Sequence, residues 1–79
     1  MKVTVVGKEH AEGISKKNGK PYSNTKVHVT HKQNRIEGLA AEVVWLDAAS
    51  YPLDSVQVGK VYDLDRDNRG YVIDFELAR

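Results

Sequence analysis

The residues best suited to chemistry lie in the segment 13–23, which combines cations with an aromatic ring. It carries lysines at positions 16, 17 and 20 and a tyrosine, Tyr22, around the dipeptide Asn18-Gly19. Asn-Gly is a strong signal for a tight β-hairpin turn, because both central residues of such a turn need positive φ. The hairpin would raise the three lysines on an exposed tip, with Tyr22 at the base of the returning strand. Cations beside an exposed ring suit a flexible polyanion whose bases can stack, namely single-stranded nucleic acid.

The charges of the chain are separated along its length, although the net charge is only +1. Residues 1–35 carry a net charge of +6, and residues 36–79 carry a net charge of −5. A solvated hairpin would also explain the lysine cluster taken alone, but separated charge of this size favours one face for a polyanion. The acidic half offers a second class of function, in which the chain is an interaction module that docks a basic protein partner.

An enzyme or a metal site would need convergent groups, and the sequence offers none with suitable spacing. The chain has no cysteine. His28 and His31 have opposite parity on one predicted strand, so they cannot point the same way as metal ligands. Asp63, Asp65 and Asp67 resemble part of a calcium loop, but the turn after them breaks the pattern and no bidentate Glu follows. We therefore predict a protein that is not an enzyme and uses no metal or cofactor.

Length and composition predict a single small domain over residues 1–79. No disulfide can reinforce so small a core, so oligomerisation is the expected reinforcement. The N-terminal apolar stretch is too short for a signal peptide, and no run reaches the length of a membrane span. These features predict a cytoplasmic protein with no membrane partner.

The elements that position the hairpin are strands, because the dominant hydrophobic period is two. Side chains alternate across a strand, so Tyr22, Asn24 and Lys26 share the solvent-facing side of theirs. Five or six short strands with no convincing helix describe a small antiparallel barrel of the OB type. The wing hairpin is predicted at about residues 13–24 and a second hairpin at about residues 62–75. The predicted strands cover residues 2–6, 9–15, 21–31, 36–46, 60–65 and 71–77.

The other large aromatic residues are predicted to be structural. Trp45 lies in the apolar run 43–46, where a large buried side chain would stabilise a small barrel. Trp45 and Tyr51 are therefore expected in the core or at an interface. Tyr71 has the parity of Ile73 and Phe75, which favours the core or a dimer interface over a stacking platform.

Residues 13–23 resemble the basic "GKPY" wing of the filamentous-phage single-stranded DNA-binding proteins, also called helix-destabilising proteins. Residues 68–79 resemble the closing hairpin and last strand of that family. Tyr51-Pro52 and the segment 58–62 fall where the family has its Pro/Gly connector and fourth strand. The similarity spans nearly the whole chain in the same order and at about the same length.

The resemblance implies a five-stranded OB-like barrel with a protruding wing, assembled as a twofold homodimer. Such dimers coat single-stranded DNA cooperatively and without strong sequence preference during the replication of phage or plasmid-type DNA. Members of the family also bind messenger RNA and repress translation through the same surface, which leaves an RNA-binding repressor as an alternative.

The resemblance also implies binding residues. The basic wing residue matches Lys16 or Lys17, and the lysine and tyrosine of "GKPY" match Lys20 and Tyr22. This chain departs from the family pattern at Asn24, where the family can carry a large apolar side chain. Its second hairpin turn is short and offers arginines in place of an aromatic tip. The predicted DNA-binding residues are Lys16, Lys17, Lys20, Tyr22, Asn24, Lys26, Arg66 and Arg69.

Overall fold

The computed structural model describes residues 1–78 and contains one sheet of five antiparallel strands. The strands are β1 (Lys2–Ile14), β2 (Pro21–His31), β3 (Ala40–Asp47), β4 (Val61–Arg66) and β5 (Val72–Leu77). They lie side by side in the order β3-β2-β1-β4-β5, with a 3-10 helix at Leu53–Ser55 in the connector after the third strand. This confirms the all-β prediction. Arg79, the last residue of the C-terminal segment that resembles the phage proteins, lies outside the described residues.

The core is built from one side of each strand, as period-two alternation requires. β3 and β5 are the two edges of the sheet, yet Val44 and Leu46 of β3 and Phe75 of β5 join the same buried cluster. The sheet therefore curves around a single core in a barrel-like manner. Burial of this cluster is the main favourable term in the folding of so short a chain. Its members are Val3, Val5, Val27, Val29, Val44, Leu46, Val56, Tyr62, Leu64 and Phe75.

β1 is one long strand, where the sequence predicted two separate strands. Its ladder with β2 shifts after Val5, so Val6 is bulged and exposed. Beyond the bulge Lys8 lies on the side of the connector, where its Nζ donates hydrogen bonds to the carbonyl oxygens of Leu53 and Val56 at 2.8 and 2.7 Å. A bulge inserts one residue without ending the strand, and its position is set by the pairing partner.

A second bulge reverses the predicted facing of the residues that begin β5. Ile73 is the extra residue in the ladder between β4 and β5. Val72 packs against the core, whereas Ile73 and Tyr71 are 61% and 68% exposed. The prediction that Tyr71 shares the core side with Phe75 was wrong, because two-residue alternation does not continue through a bulge.

The connector between β3 and β4 packs onto the core through Tyr51. Its ring meets the ring of Phe75 edge-on at a centroid distance of 6.2 Å, and its backbone carbonyl accepts a hydrogen bond from the buried hydroxyl of Thr25 at 2.5 Å. Phe75 also stacks on Tyr62 at 4.5 Å. The predicted packing of Tyr51 is thereby confirmed.

Candidate nucleic-acid interface

The wing, defined as residues 13–24, is the outer end of the β1–β2 ladder. The last ladder pair is Ile14 with Pro21, and the Ser15 N–H closes the loop by donating to the Lys20 carbonyl at 2.8 Å. The molecule has principal extents of 40, 26 and 20 Å, so it is elongated. The predicted hairpin at this position is confirmed.

The loop of the wing has four residues between its closing pair and is not the tight primed turn that the sequence predicted. The Gly19 N–H donates to the carbonyl of Ser15 at 2.8 Å, and Gly19 has a φ of 68°. Asn18 does not take positive φ, and its side-chain oxygen accepts a hydrogen bond from the Lys20 N–H at 3.0 Å. One left-handed residue is enough for this longer loop, and glycine occupies that position without steric cost.

The three wing lysines lie at the tip, as predicted. Lys16, Lys17 and Lys20 are exposed, and within residues 1–78 none of their ammonium groups has a carboxylate within 4.0 Å. An ammonium group without a protein counter-ion can neutralise a phosphate without first breaking an ion pair. The tip is therefore the most available cluster of positive charge in this part of the molecule.

The ring of Tyr22 lies across β1 at Gly13, its ladder partner. A Cβ at Gly13 would stand 3.0 Å from the Tyr22 Oη and 3.2 Å from its Cζ, so any other residue there would displace the ring. Because Gly13 has no side chain, the ring of Tyr22 has a seat on the backbone of β1, and 43% of Tyr22 remains exposed. A ring held in one place with an open surface is suited to stacking.

Tyr22, Asn24 and Lys26 share one face of β2, as predicted. The core-facing residues between and beyond them, Thr25 and Val27, are fully buried. Asn24 is half-buried, because its ladder partners Ala11 on β1 and Asp47 on β3 flank it on both sides. The face that carries Tyr22 thus continues from the wing onto the body of the sheet.

Lys26 is already engaged by neighbours on both adjoining strands. Its Nζ lies 3.2 Å from Oε1 of Glu9 on β1 and 5.2 Å from the centre of the Trp45 ring on β3. Hydrogen bonds from Lys26 and from His28, together with the charge of Lys26, lower the pKa of the Glu9 carboxyl. Glu9 therefore stays ionised and offsets the charge that Lys26 would offer to a phosphate.

Arg66 is likewise paired, with Glu42 on the opposite edge of the sheet. His31 also contacts Glu42, with its Nε2 2.9 Å from Oε2. Burial raises the pKa of Glu42, but the hydrogen bonds from Arg66 and His31 and the charge interactions with them together outweigh this effect, so the pKa is lowered overall. The cluster joins β2, β3 and β4, and the guanidinium of Arg66 is occupied by its ion pair with Glu42.

Arg69 lies in the loop of the second hairpin, away from the wing. Asp67 shapes this loop, since its Oδ1 accepts hydrogen bonds from the backbone N–H groups of Arg69 at 2.9 Å and Tyr71 at 3.0 Å. The Arg69 side chain is exposed, and no carboxylate among residues 1–78 pairs with it. Among the predicted arginines, Arg69 is the one that can offer its charge to a ligand.

Trp45 is the residue whose placement the sequence missed. It is 53% exposed on the outer face of β3, directly opposite Lys26, so it does not lie in the core, and its predicted alternative place at an interface stays a prediction. Residues 43–46 are all apolar, so the run does not reveal which two point inward. Strand pairing would have supplied the missing information, because opposite residues of a ladder share a face and Lys26 was already predicted to lie on the solvent-facing side.

Within residues 1–78 no three or more His, Cys, Asp or Glu side chains are grouped so as to hold a metal ion. In the same residues, no helix has the length and apolar character needed to cross a membrane. Comparison of the chain with protein-family models, curated proteins and solved structures found no match.

Proposed function

We propose that this protein is a non-catalytic binder of single-stranded DNA that coats the strand cooperatively and largely independently of sequence. The observation that carries the proposal is the wing: three exposed lysines with no carboxylate within 4.0 Å among residues 1–78, beside a half-exposed Tyr22 seated on Gly13. The lysines hold phosphates, and the ring of Tyr22 stacks on a base. Asn24 lines the path, Arg69 extends it, and Lys26 and Arg66 join it only if phosphate displaces their carboxylates.

The combination of phosphate-binding cations with an exposed aromatic ring supports a single strand over a duplex. A duplex keeps its bases stacked inside, whereas a single strand leaves their faces open to an aromatic side chain. Cations alone bind both forms through counterion release. Tyr22 adds a stacking interaction that only a strand with unstacked bases can make.

The proposal includes assembly as a homodimer and a role in the replication of phage or plasmid-type DNA in a bacterial cytoplasm. The resemblance of residues 13–23 and 68–79 to the phage wing and closing strand supports this setting. Exposed apolar side chains on β5, Ile73 and Leu77 among them, are compatible with association of two copies. A core this small gains stability from such association.

The test is a titration of a labelled oligothymidylate of about 16 nucleotides, the upper end of the site size of one OB fold. Tyr22→Ala should weaken binding by about 1–3 kcal/mol, because one stacked base is lost, while Tyr22→Phe retains most of the affinity. Fluorescence anisotropy at two salt concentrations measures both. Duplex binding that equals or exceeds strand binding, with no salt dependence, would sink the proposal.

The lysines are tested by the salt dependence itself. Replacing Lys16, Lys17 and Lys20 together by Gln should flatten the plot of log affinity against log salt by about 2, at roughly 0.7 per phosphate contact. Lys60→Gln is the matched control, since Lys60 is exposed and lies outside the wing. An equal change of slope per replaced lysine in the two proteins would mean that general charge, rather than the wing, holds the strand.

A second candidate function is supported by an acidic ladder on β4 and β5. Asp63 lies opposite Glu76, and Asp65 lies opposite Asp74, all four exposed. Lys2 already pairs with Asp63 at 3.1 Å, whereas Asp65 and Asp74 have no cation within 4.0 Å among residues 1–78. Like charges directly opposite each other destabilise a sheet, so the Asp65–Asp74 pair has a cost that a basic protein partner would offset. In this alternative the chain is an interaction module with an acidic docking face.

The two candidates separate cleanly in one set of variants. Under the alternative, Asp65→Asn with Asp74→Asn abolishes binding of an oligolysine peptide, and Tyr22→Ala changes nothing. Under the main proposal, Tyr22→Ala impairs oligothymidylate binding and the Asn pair does not. A parallel titration with oligouridylate distinguishes a DNA coat from an RNA-binding repressor, because both use the same surface.

A further inference from the structure

An aromatic cleft lies between the edge strands β3 and β5. Trp45 borders it from β3, and Tyr71 and Ile73 border it from the start of β5, with Tyr51 on the connector side. A second hollow, lined by Val43, Arg66 and Gly70, adjoins it at Trp45 and Tyr71. Both of these rings are more than half exposed.

The cleft is continuous with the proposed strand path. Trp45 is the ladder partner of Lys26, so it lies on the same face of the sheet as Tyr22 and Asn24. Lys26 is four residues from Tyr22, which is about 13 Å along the strand, and Trp45 is one strand spacing of about 5 Å beyond it. A strand that leaves Tyr22 along this face reaches Trp45 next.

The Trp45 ring is held in place by the Lys26 ammonium, whose charge is already paired with that of Glu9. The Lys26 ammonium stands 5.2 Å from the ring centre, within range of a cation–π contact, and Glu9 pairs with that ammonium. The contact fixes the orientation of the ring before any ligand arrives, so less side-chain entropy is lost on binding.

The charges at the cleft disfavour phosphate and favour a base. Lys26, which contacts the Trp45 ring, and Arg66, which lines the adjoining hollow, each already contact a carboxylate, and Asp47 lines the cleft. A nucleobase needs none of those charges, since its face stacks on any aromatic ring. The chemistry of the cleft therefore differs from that of the lysine tip.

We propose that Trp45 and Tyr71 form a second base-stacking site, which receives an unstacked nucleobase of the strand held by the wing. This deepens the proposed function and rests on it. The wing grips the backbone, while the cleft takes a base about 14 Å away from Tyr22, by the strand spacings above. Trp45, predicted from sequence to be structural, becomes a binding residue.

The chain contains a single tryptophan, so its fluorescence reports on this site alone. Saturation with the oligothymidylate of about 16 nucleotides should quench Trp45 emission excited selectively over tyrosine. Trp45→Thr and Tyr71→Ala should each weaken binding by anisotropy about 5- to 150-fold, the range for one stacked base. Trp45→Phe, which keeps a ring, should restore most of the affinity.

Val61→Thr is the matched control, because Val61 is an exposed apolar residue on the outer face of β4. It should bind like the unaltered protein, and far-UV circular dichroism should show all variants folded. If the oligothymidylate binds but Trp45→Thr and Tyr71→Ala match this control, the cleft is not a base site and the proposed function stands. If no oligothymidylate binds at low salt, both fail.

A copy of this chain is the competing occupant of the cleft. Sedimentation equilibrium of Trp45→Thr and Trp45→Phe without nucleic acid tests it. An unchanged association state supports the base site. Conversion to a less associated form by Trp45→Thr would place Trp45 at an interface between copies and overturn the proposal.

Discussion

Lys26 illustrates how far the role of a single side chain depends on its neighbours in space. Its position on the outer face of β2 follows from alternation, yet Glu9 and Trp45 arrive from two other strands and occupy its charge and one of its sides. Lys16, Lys17 and Lys20 have the same chemistry but no such neighbours among residues 1–78. The difference in availability to phosphate comes from tertiary contacts alone.

Removing the charge of Glu9 should therefore tighten binding of the oligothymidylate. In Glu9→Gln, the Lys26 ammonium loses its carboxylate partner and becomes available to a phosphate. The plot of log affinity against log salt should steepen by up to about 0.7, the contribution of one further phosphate contact on a single strand. Anisotropy titrations across a salt series measure both quantities.

Glu76→Gln provides the control for this prediction, since it makes the same change of charge on β5. Exposed charges separated by more than the Debye length, about 8 Å at physiological salt, are largely screened, so this variant should change the affinity little. Equal tightening in both variants would mean that net charge, rather than release of Lys26, sets the affinity.

At the scale of the elements, the two hairpins show what alternation can and cannot predict. The core positions of β2 and β4 follow period two throughout, so Val27, Val29, Tyr62 and Leu64 are all buried as the pattern requires. The register fails at the bulge residue Ile73, where the facing of the chain changes within one residue. A bulge is a property of two paired strands, and one strand read alone does not contain it.

The candidate site divides in the same way. The lysine tip and the shared face from Tyr22 down to Lys26 are local features of one hairpin, so the sequence predicts them. Trp45 and the partners of Lys26 and Arg66 depend on which strands become neighbours, and those pairings join residues far apart in the chain. Because residues 43–46 are all apolar, hydrophobic alternation did not show which of them face the core.

Gly13 belongs to this scale, because it acts through the strand that faces it. Gly13→Ala should weaken oligothymidylate binding, since the new Cβ would stand 3.0 Å from the Tyr22 Oη and push the ring out of its present position by a few tenths of an ångström. The unfolding temperature should stay level or rise, because glycine within a strand is less favourable than alanine by about 0.5–1 kcal/mol. Anisotropy and thermal unfolding measure the two effects separately.

A double-mutant cycle shows whether Gly13 acts through the ring. In the Tyr22→Ala background there is no ring to displace, so Gly13→Ala should no longer change the affinity. An equal loss in both backgrounds would assign the effect to the ribbon backbone instead.

Across the molecule as a whole, some charged side chains are open to a ligand, and others form ion pairs that hold the fold together. The basic N-terminal half carries the three wing lysines, and four of the nine acidic residues of the C-terminal half lie on β4 and β5. Glu42 of β3 instead holds the fold together, because it lies between Arg66 of β4 and His31 of β2 and links an edge strand to the rest of the curved sheet. Its ionisation should therefore be coupled to folding.

The sign of that coupling follows from the lowered pKa of Glu42. The hydrogen bonds from Arg66 and His31 and the charge interactions with them together outweigh the opposing effect of burial, so the folded-state pKa lies below the ordinary value of 4.5. A carboxyl with a depressed pKa stabilises the fold above its ordinary value, and this contribution is lost as the pH falls through the folded-state pKa. The urea midpoint should accordingly fall as the pH drops below about 4.5.

Glu42→Gln tests this link because an amide can accept a hydrogen bond from Arg66 but does not titrate. The variant should be less stable than the unaltered protein at neutral pH, and the two urea midpoints should converge in acid. Glu9→Gln serves as the comparison, since Glu9 also has a lowered pKa but lies on the exposed outer face and joins only β1 and β2. If Glu42→Gln keeps the full acid-dependent loss of stability, the carboxylate does not hold the edge strand. Convergence in this variant that exceeds that of Glu9→Gln would instead assign the acid sensitivity of the curved sheet to the ion cluster at its edge.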